Sequence, residues 1–193
     1  MKIYYDTEFI EDGKTIDLIS IGMVREDGAE YYAENSEADW DRMKKSDWLV
    51  RNVLPGLKIV GRKSLDTYLK NSPNSFPRPP IEFVDPDVTS SLVKPRQVIA
   101  NEVRDFILAT PGPELWAWYA AYDHVTLCQL WGPMVSLPKG VPMWTNDLKQ
   151  EAQRLGDPDL PSMPGVAEHN ALSDAREVAW RHQWLAGRTD VPQ

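Results

Sequence analysis

Asp6 and Glu8 stand two residues apart in the segment Ile3-Tyr4-Tyr5-Asp6-Thr7-Glu8-Phe9, a spacing that puts both carboxylates on one face of a strand. Ile3, Tyr5, Thr7 and Phe9 then share the opposite face, which is apolar enough to be buried. Two carboxylates on a buried strand repel each other and resist desolvation, so a compensating cation is expected, and a divalent metal is the simplest one. A solvated strand end carrying two acids is the alternative. Two further acids bear on the choice. Asp123 follows the β-prone run Leu115–Tyr119, and Asp174 falls in the last helical pattern of the chain. In an open α/β sheet the working crevice lies beyond the carboxyl ends of strands, and a helix packed across the first strand could lower Asp174 into it. Four acids from three elements make an oxygen-lined site for Mg²⁺ or Mn²⁺. Two such ions, roughly 3.5–4 Å apart, are a common means of clamping the attacking and leaving oxygens in phosphoryl displacement.

Positioning these acids falls to the elements around them. Asp12-Gly13 marks a turn after the first strand, Leu18–Val24 reads as a second strand, and Asp27-Gly28 is a hairpin signal before a third at Glu30–Ala33. Ser36 and Ser46 are expected to cap two short helices, the second ending before Pro55-Gly56. From about 55 to 95 the pattern dissolves, and Ser72–Pro80 is too proline-rich for a core element. This irregular insertion carries Arg62, Lys63, Lys70 and Arg78, which either flank an anionic ligand or are simply solvated. Pro95 is expected as a first helical residue, with Val98, Ile99, Val103, Phe106 and Ile107 at helical spacing. The following run, Leu115–Tyr119, is then a strand in a parallel pair, with Asp123 at its junction with the next helix. A short strand at Val141–Trp144, a helix opened by Asn146 or Asp147 and stopped by Gly156, and a final helix opened by Asn170 or Ser173 complete the chain. The expected fold class is α/β, with an antiparallel meander and later parallel strands in one mixed sheet covered by helices.

The 193 residues suit a single domain. A net charge of −8 argues against a broad basic surface for duplex nucleic acid or an anionic membrane, but not against an enzyme gripping a few nucleotides at a chain end. Cys128 is the only cysteine and forms no internal disulfide. The first residues are strand-like rather than a basic region followed by an apolar one, and no apolar run reaches membrane-spanning length, so a soluble cytoplasmic protein is expected.

Asp6-Thr7-Glu8, Tyr122-Asp123 and His169-Asn170-Ala171-Leu172-Ser173-Asp174 occur in the order and form of the three motifs of the DEDDh 3′–5′ exonuclease superfamily, which the chain resembles over nearly its whole length. The H-x₄-D spacing is the most discriminating part. Trp118-Tyr119-Ala120-Ala121-Tyr122-Asp123 resembles the second motif, with Trp118 and Tyr119 in place of the usual His and Asn, and Phe9-Ile10-Glu11 stands where Thr-Gly often follows the glutamate. The resemblance implies a ribonuclease H-like fold and a single exonuclease domain over 1–193. It implies Asp6 bridging two metals, Glu8 and Asp174 completing the first site, and Asp123 serving the second. It implies His169 as general base toward the attacking water, a role that suits an imidazole on a loop ahead of a helix. In detail the likeness is to small bacterial exoribonucleases that trim 3′ adenylate tails as homodimers.

The expected activity is therefore removal of nucleoside 5′-monophosphates from single-stranded RNA 3′ ends, with Mg²⁺ as cofactor and Mn²⁺ as substitute. Thr7, Phe9, Tyr122 and His124 flank the motif carboxylates and are the candidate substrate contacts. Phe9 is core if the first strand runs on, and free to stack on a terminal base if the strand ends at Glu8. His124 either meets substrate or is a surface histidine at a helix terminus, whereas His182 is about 12 Å along the last helix from Asp174 and too far for the same metals. A DNA or oligonucleotide exonuclease, a non-catalytic nucleic-acid-binding module and a structural cation site are the competing readings.

Overall fold

A computed structural model describes residues 1–71, 81, 83–165 and 169–189. Strands β1 (Lys2–Glu11), β2 (Ile16–Arg25) and β3 (Glu30–Asn35) form the antiparallel meander. Helices α1 (Trp40–Lys45) and α2 (Asp47–Asn52) follow, then β4 (Ile59–Val60), α3 (Arg62–Asn71), β5 (Asp85–Pro86) and β6 (Val93–Lys94). Next come α4 (Arg96–Leu108), β7 (Glu114–Ala117), α5 (Ala121–Gln129), β8 (Asn146–Asp147), α6 (Leu148–Arg154) and α7 (Ala171–Thr189). One sheet has the order β6-β3-β2-β1-β7-β8, with β6, β7 and β8 joined by parallel pairings. The fold is the mixed α/β sheet of a ribonuclease H-like protein.

The alternation of β1 sets the two layers. Ile3 and Tyr5 are buried with Ile99, Val103 and Ile107 of α4 and Leu127 of α5. Tyr4 points the other way, into a core with Leu148 and Ala152 of α6 and Ala175 and Val178 of α7. Asp6 and Glu8 share the period of Tyr4 and therefore face α7. A third core joins Ile10 and Ile19 to Trp40 and Met43 of α1 and Val50 of α2. No helix among the described residues is long and apolar enough to cross a membrane.

Several elements differ from the sequence reading. The first short helix is capped by Asp39, whose carboxylate accepts from Arg42 N, and not by Ser36. Arg62–Asn71 forms a helix where an irregular insertion is expected. Leu65 is fully buried there, and Tyr68 and Leu69 pack beside it in the third core. Arg62 donates to the carbonyls of Pro55 and Leu57, a structural use of a cation considered for ligand binding. Ser72–Pro80, with Arg78, lies outside the described residues. Pro95 occupies the cap position, one residue before α4 begins. Val141–Trp144 is not a strand. Pro142 removes a donor there, and the pairing partner of β7 is Asn146–Asp147.

Candidate active site

Site geometry begins with a glycine. Gly22 on β2 pairs with Asp6 on β1, and a Cβ built on it would lie 2.2 Å from Leu172 N. The absent side chain lets the first turn of α7 rest directly on the sheet beside Asp6. Asn170 anchors that turn: its Oδ1 accepts from Ser173 N at 3.2 Å, while its own N–H donates to Asp174 Oδ2 at 3.1 Å. Asp174 is thereby lowered onto the first strand. Asp6, Glu8 and Asp174 each offer an oxygen within 4.8 Å of the others, a set able to hold a metal ion.

Asp123 arrives by a different route. Strand β7 pairs with β1 only from Lys2 to Tyr4, so the edge of β1 is free beyond that point. Asp123 Oδ1 fills the gap, accepting from Thr7 N at 2.9 Å and Thr7 Oγ1 at 2.7 Å. It lies in the first turn of α5, at the strand-to-helix junction, although β7 ends earlier than expected and Trp118–Ala120 forms a turn in which Tyr119 takes a φ of +54°. Thr7 is itself buried, its hydroxyl committed to Asp123, which is a positioning role in place of the expected substrate contact.

These acids stand in one another's field. Burial, then the charges of Asp174 and Asp123, push Glu8 up to about 8. Burial raises Asp174 to about 6, partly offset by His169 and by the main-chain N–H groups of Asn170 and His169. Burial raises Asp123 to about 6 against the opposing Thr7 hydrogen bonds. Asp6 rises well above the ordinary carboxylate range through burial and then Asp123, Glu8 and Asp174. A divalent cation would reverse this arrangement by supplying the missing positive charge.

His169 lines the same hollow, about 360 Å³ in volume, together with Asp6, Glu8 and Asp174. It has a φ of +60°, and its ring meets that of Trp48 edge-on at 4.9 Å. The histidine, on the loop ahead of α7, is thus held against an aromatic ring and only partly exposed.

Phe9 follows neither of its two expected courses. The strand runs on to Glu11, but a register shift between Glu8 and Phe9 breaks the alternation. Phe9 is half-buried and stacked on Tyr122, with centroids 5.8 Å apart and planes 7° from parallel. His124 uses both ring nitrogens on the segment before β8: Nδ1 with Thr145 Oγ1 at 3.0 Å and Nε2 with Met143 O at 2.9 Å. That is a structural role, and it leaves no ring nitrogen for substrate. His182 bonds Tyr4 OH at 3.1 Å and packs on Trp116, away from the acids as its helical distance requires.

An acidic hollow with an imidazole at its wall fits hydrolysis of a phosphodiester, and comparison with known proteins supplies the family. No family model matches the chain. Two curated relatives do: the 3′-5′ exoribonuclease MT2234.1 of Mycobacterium tuberculosis strain CDC 1551 / Oshkosh and the 3′-5′ exoribonuclease Rv2179c of strain ATCC 25618 / H37Rv. Each is 41% identical over 193 residues, covering 99% of this chain and 96% of the relative. The chain belongs to this family of 3′–5′ exoribonucleases. It is therefore an enzyme, and the hollow is the candidate seat of its chemistry. Asn170 was legible as a helix opener within the third motif, whereas Gly22, Trp48, Trp118 and Arg181 shape that hollow or its walls and were not singled out for it by sequence. Of these four, only Trp118 carried a signal, as a departure from the second motif.

Proposed function

We propose that the protein is a divalent-metal-dependent 3′–5′ exoribonuclease that releases nucleoside 5′-monophosphates from single-stranded RNA, with adenylate tails preferred. The observation that carries this reading is the convergence of Asp6, Glu8 and Asp174 within 4.8 Å, with His169 in the same hollow and Asp123 held alongside by Thr7. Asp6, Glu8 and Asp174 would hold one ion, and Asp123 beside Asp6 would serve a second. Mg²⁺ or Mn²⁺ bound there supplies Lewis-acid stabilisation of the charge that develops on the phosphoryl oxygens. His169 accepts the proton of the attacking water, whose oxygen bonds to phosphorus as the bond from phosphorus to the upstream 3′ oxygen breaks. The products are a 5′-monophosphate and an RNA one nucleotide shorter with a free 3′-hydroxyl. Phe9, which lines the adjoining hollow next to Glu8, and Tyr122 stacked on it offer an aromatic surface for the terminal base. Preference for adenylate and assembly as a homodimer rest on the resemblance to small bacterial exoribonucleases that trim adenylate tails.

End-labelled adenylate, uridylate and cytidylate homopolymers, with DNA of matched sequence, test the reading in Mg²⁺ and in EDTA. The expected result is stepwise shortening of RNA that is fastest for adenylate and abolished by chelator. Chelator-resistant hydrolysis would overturn the metal assignment, and faster loss of DNA would overturn the RNA assignment. Light scattering on the purified protein tests the dimer, which a monomeric mass would exclude.

A further inference from the structure

Two further hollows adjoin the one that holds the carboxylates, and their chemistry is unequal. One, of about 320 Å³, meets the site at Glu8 and is walled by Phe9, Trp48 and Leu49, with Glu11 at its rim and no cation. The other, of about 240 Å³, meets the site at Trp118 and Arg181, which line both spaces, and adds Lys149 with Pro158 and Leu160. The two hollows share no lining residue.

The second hollow brings two cations, Lys149 and Arg181, beside the site in a chain whose net charge is −8. Arg181 lies 5.1 Å and Lys149 5.9 Å from the centre of the Trp118 ring. Asp157 and Asp159 also line this space. Lys149 Nζ is paired with Asp157 Oδ1 at 2.5 Å, an exposed pair of the kind that contributes little and yields readily to a competing anion. Arg181 places one terminal nitrogen on Glu177, while its Nε is buried without a hydrogen-bond partner among the described residues. The buried Nε is closed to a ligand, but the side chain is 22% exposed and lines the hollow, where a guanidinium donates charge-assisted hydrogen bonds to phosphate through its terminal nitrogens.

RNA is equally asymmetric about the bond to be cut. On the 3′ side lies one nucleoside ending in hydroxyls, with no further charge. On the 5′ side the next phosphodiester follows at once. Both arms carry acids, but only one carries cations: the cation-free arm therefore suits the terminal nucleoside, and the arm with Arg181 and Lys149 suits the strand leading away from it. We propose that the Trp118–Arg181–Lys149 hollow is the subsite for the nucleotide immediately 5′ of the scissile bond. Arg181 and Lys149 hold that nucleotide's 5′-phosphate, and Trp118 forms the flat wall beside it. This deepens the exoribonuclease reading and rests on it.

A dinucleotide with and without a 5′-phosphate isolates the contact, because that group is the only difference between the two substrates. The wild-type enzyme in Mg²⁺ is expected to favour the phosphorylated dinucleotide by about tenfold in kcat/KM, the scale of a charge-assisted contact. Arg181→Gln and Lys149→Gln are each expected to cut that preference to about threefold or less, and raised salt to lower it in the wild type. The preference is a ratio within one protein, so a variant that folds poorly loses both rates and leaves it unchanged. Equal cleavage of the two dinucleotides by the wild type would overturn the subsite. So would an intact preference in both variants, or trimming of longer RNA with neither dinucleotide cut. Failure to trim any RNA would instead overturn the exoribonuclease reading itself.

Discussion

Gly22 and Leu172 touch backbone to backbone: a single methyl on Gly22 would lie 2.2 Å from Leu172 N and 2.3 Å from its Cα. Because Gly22 is also the register partner of Asp6, this contact fixes how far Asp174 descends toward the first strand. Catalytic constellations tolerate little displacement, since a misplacement of about 1 Å costs on the order of a hundredfold in rate. Gly22→Ala is expected to push α7 off the sheet, lower turnover by about that factor and weaken metal binding. Overpacking of this kind should also lower stability by roughly 1–3 kcal/mol. Gly187 is the control, since it lies on the same helix with nothing within 4 Å of a built Cβ. Gly187→Ala should leave turnover unchanged and raise the melting temperature slightly. Normal kinetics in Gly22→Ala would show that helix placement does not set the site.

The raised carboxylates make the metal-free protein sensitive to pH. Glu8 moves from 4.5 to about 8, and Asp123 and Asp174 from 3.8 to about 6. Between those limits the folded state keeps protons that the unfolded chain has released, so stability falls as pH rises. The favourable contribution is full below about pH 4 and is lost progressively as pH passes the folded values, up to about pH 8. In EDTA the melting temperature is expected to drop by something on the order of 10 °C between pH 5 and pH 8, each kcal/mol counting for about 2–4 °C in a protein of this size. Saturating Mg²⁺ should flatten the drop, because it binds the ionised form. Asp6→Asn and Glu8→Gln should flatten it without metal while abolishing hydrolysis. A metal-free melting temperature that does not change with pH would count against a buried, mutually repelling cluster.

Much of this site was legible because its parts obey short-range periodicities. The two-residue spacing of Asp6 and Glu8 places both on the α7 face, and the four residues between His169 and Asp174 span one helical turn after Asn170. What escaped was set by tertiary contact. Trp118 and Tyr119 have high β propensity and extend a strand pattern, yet β7 stops at Ala117 so that the chain can turn at Tyr119 and present Asp123 to Thr7. The edge contact of Trp48 on His169 joins residues on α2 and ahead of α7, and no local pattern announces it. Helix α3 was hidden by its surroundings. Leu65, Tyr68 and Leu69 have helical spacing, but glycine on one side and prolines on the other dominate the reading of that region.

Thr7 offers a test of how Asp123 is held. Both its main-chain N–H and its hydroxyl donate to the same oxygen, Asp123 Oδ1. The hydroxyl contact favours the charged form of Asp123 and opposes the rise caused by burial. Thr7→Val keeps the shape and removes only that donor. The expected outcome is a fall in turnover of about tenfold, a loss of roughly 1 kcal/mol in stability and a weaker apparent affinity for Mg²⁺. Thr7→Ser should restore most of all three. A Thr7→Val enzyme with unaltered Mg²⁺ dependence would separate Asp123 from the metal.

Trp48 offers the corresponding test for His169. The indole is 53% exposed, so its burial contributes little to folding, yet its ring meets the imidazole at 4.9 Å and 72°. An edge-to-face pair of this geometry contributes about 0.5–1.5 kcal/mol beyond contact area. His169 also has a φ of +60°, a conformation costing of order 1–3 kcal/mol that persists only when its surroundings enforce it. Removing the indole releases the imidazole from its place over the carboxylates. Trp48→Ala is expected to lower kcat by about three- to tenfold, with little change in melting temperature, and Trp48→Phe to recover most of the loss. The wall next to Glu8 changes as well, so KM for RNA is the informative second reading. A loss confined to KM would make Trp48 a substrate contact only, whereas a loss in kcat would place it behind His169, the proposed general base.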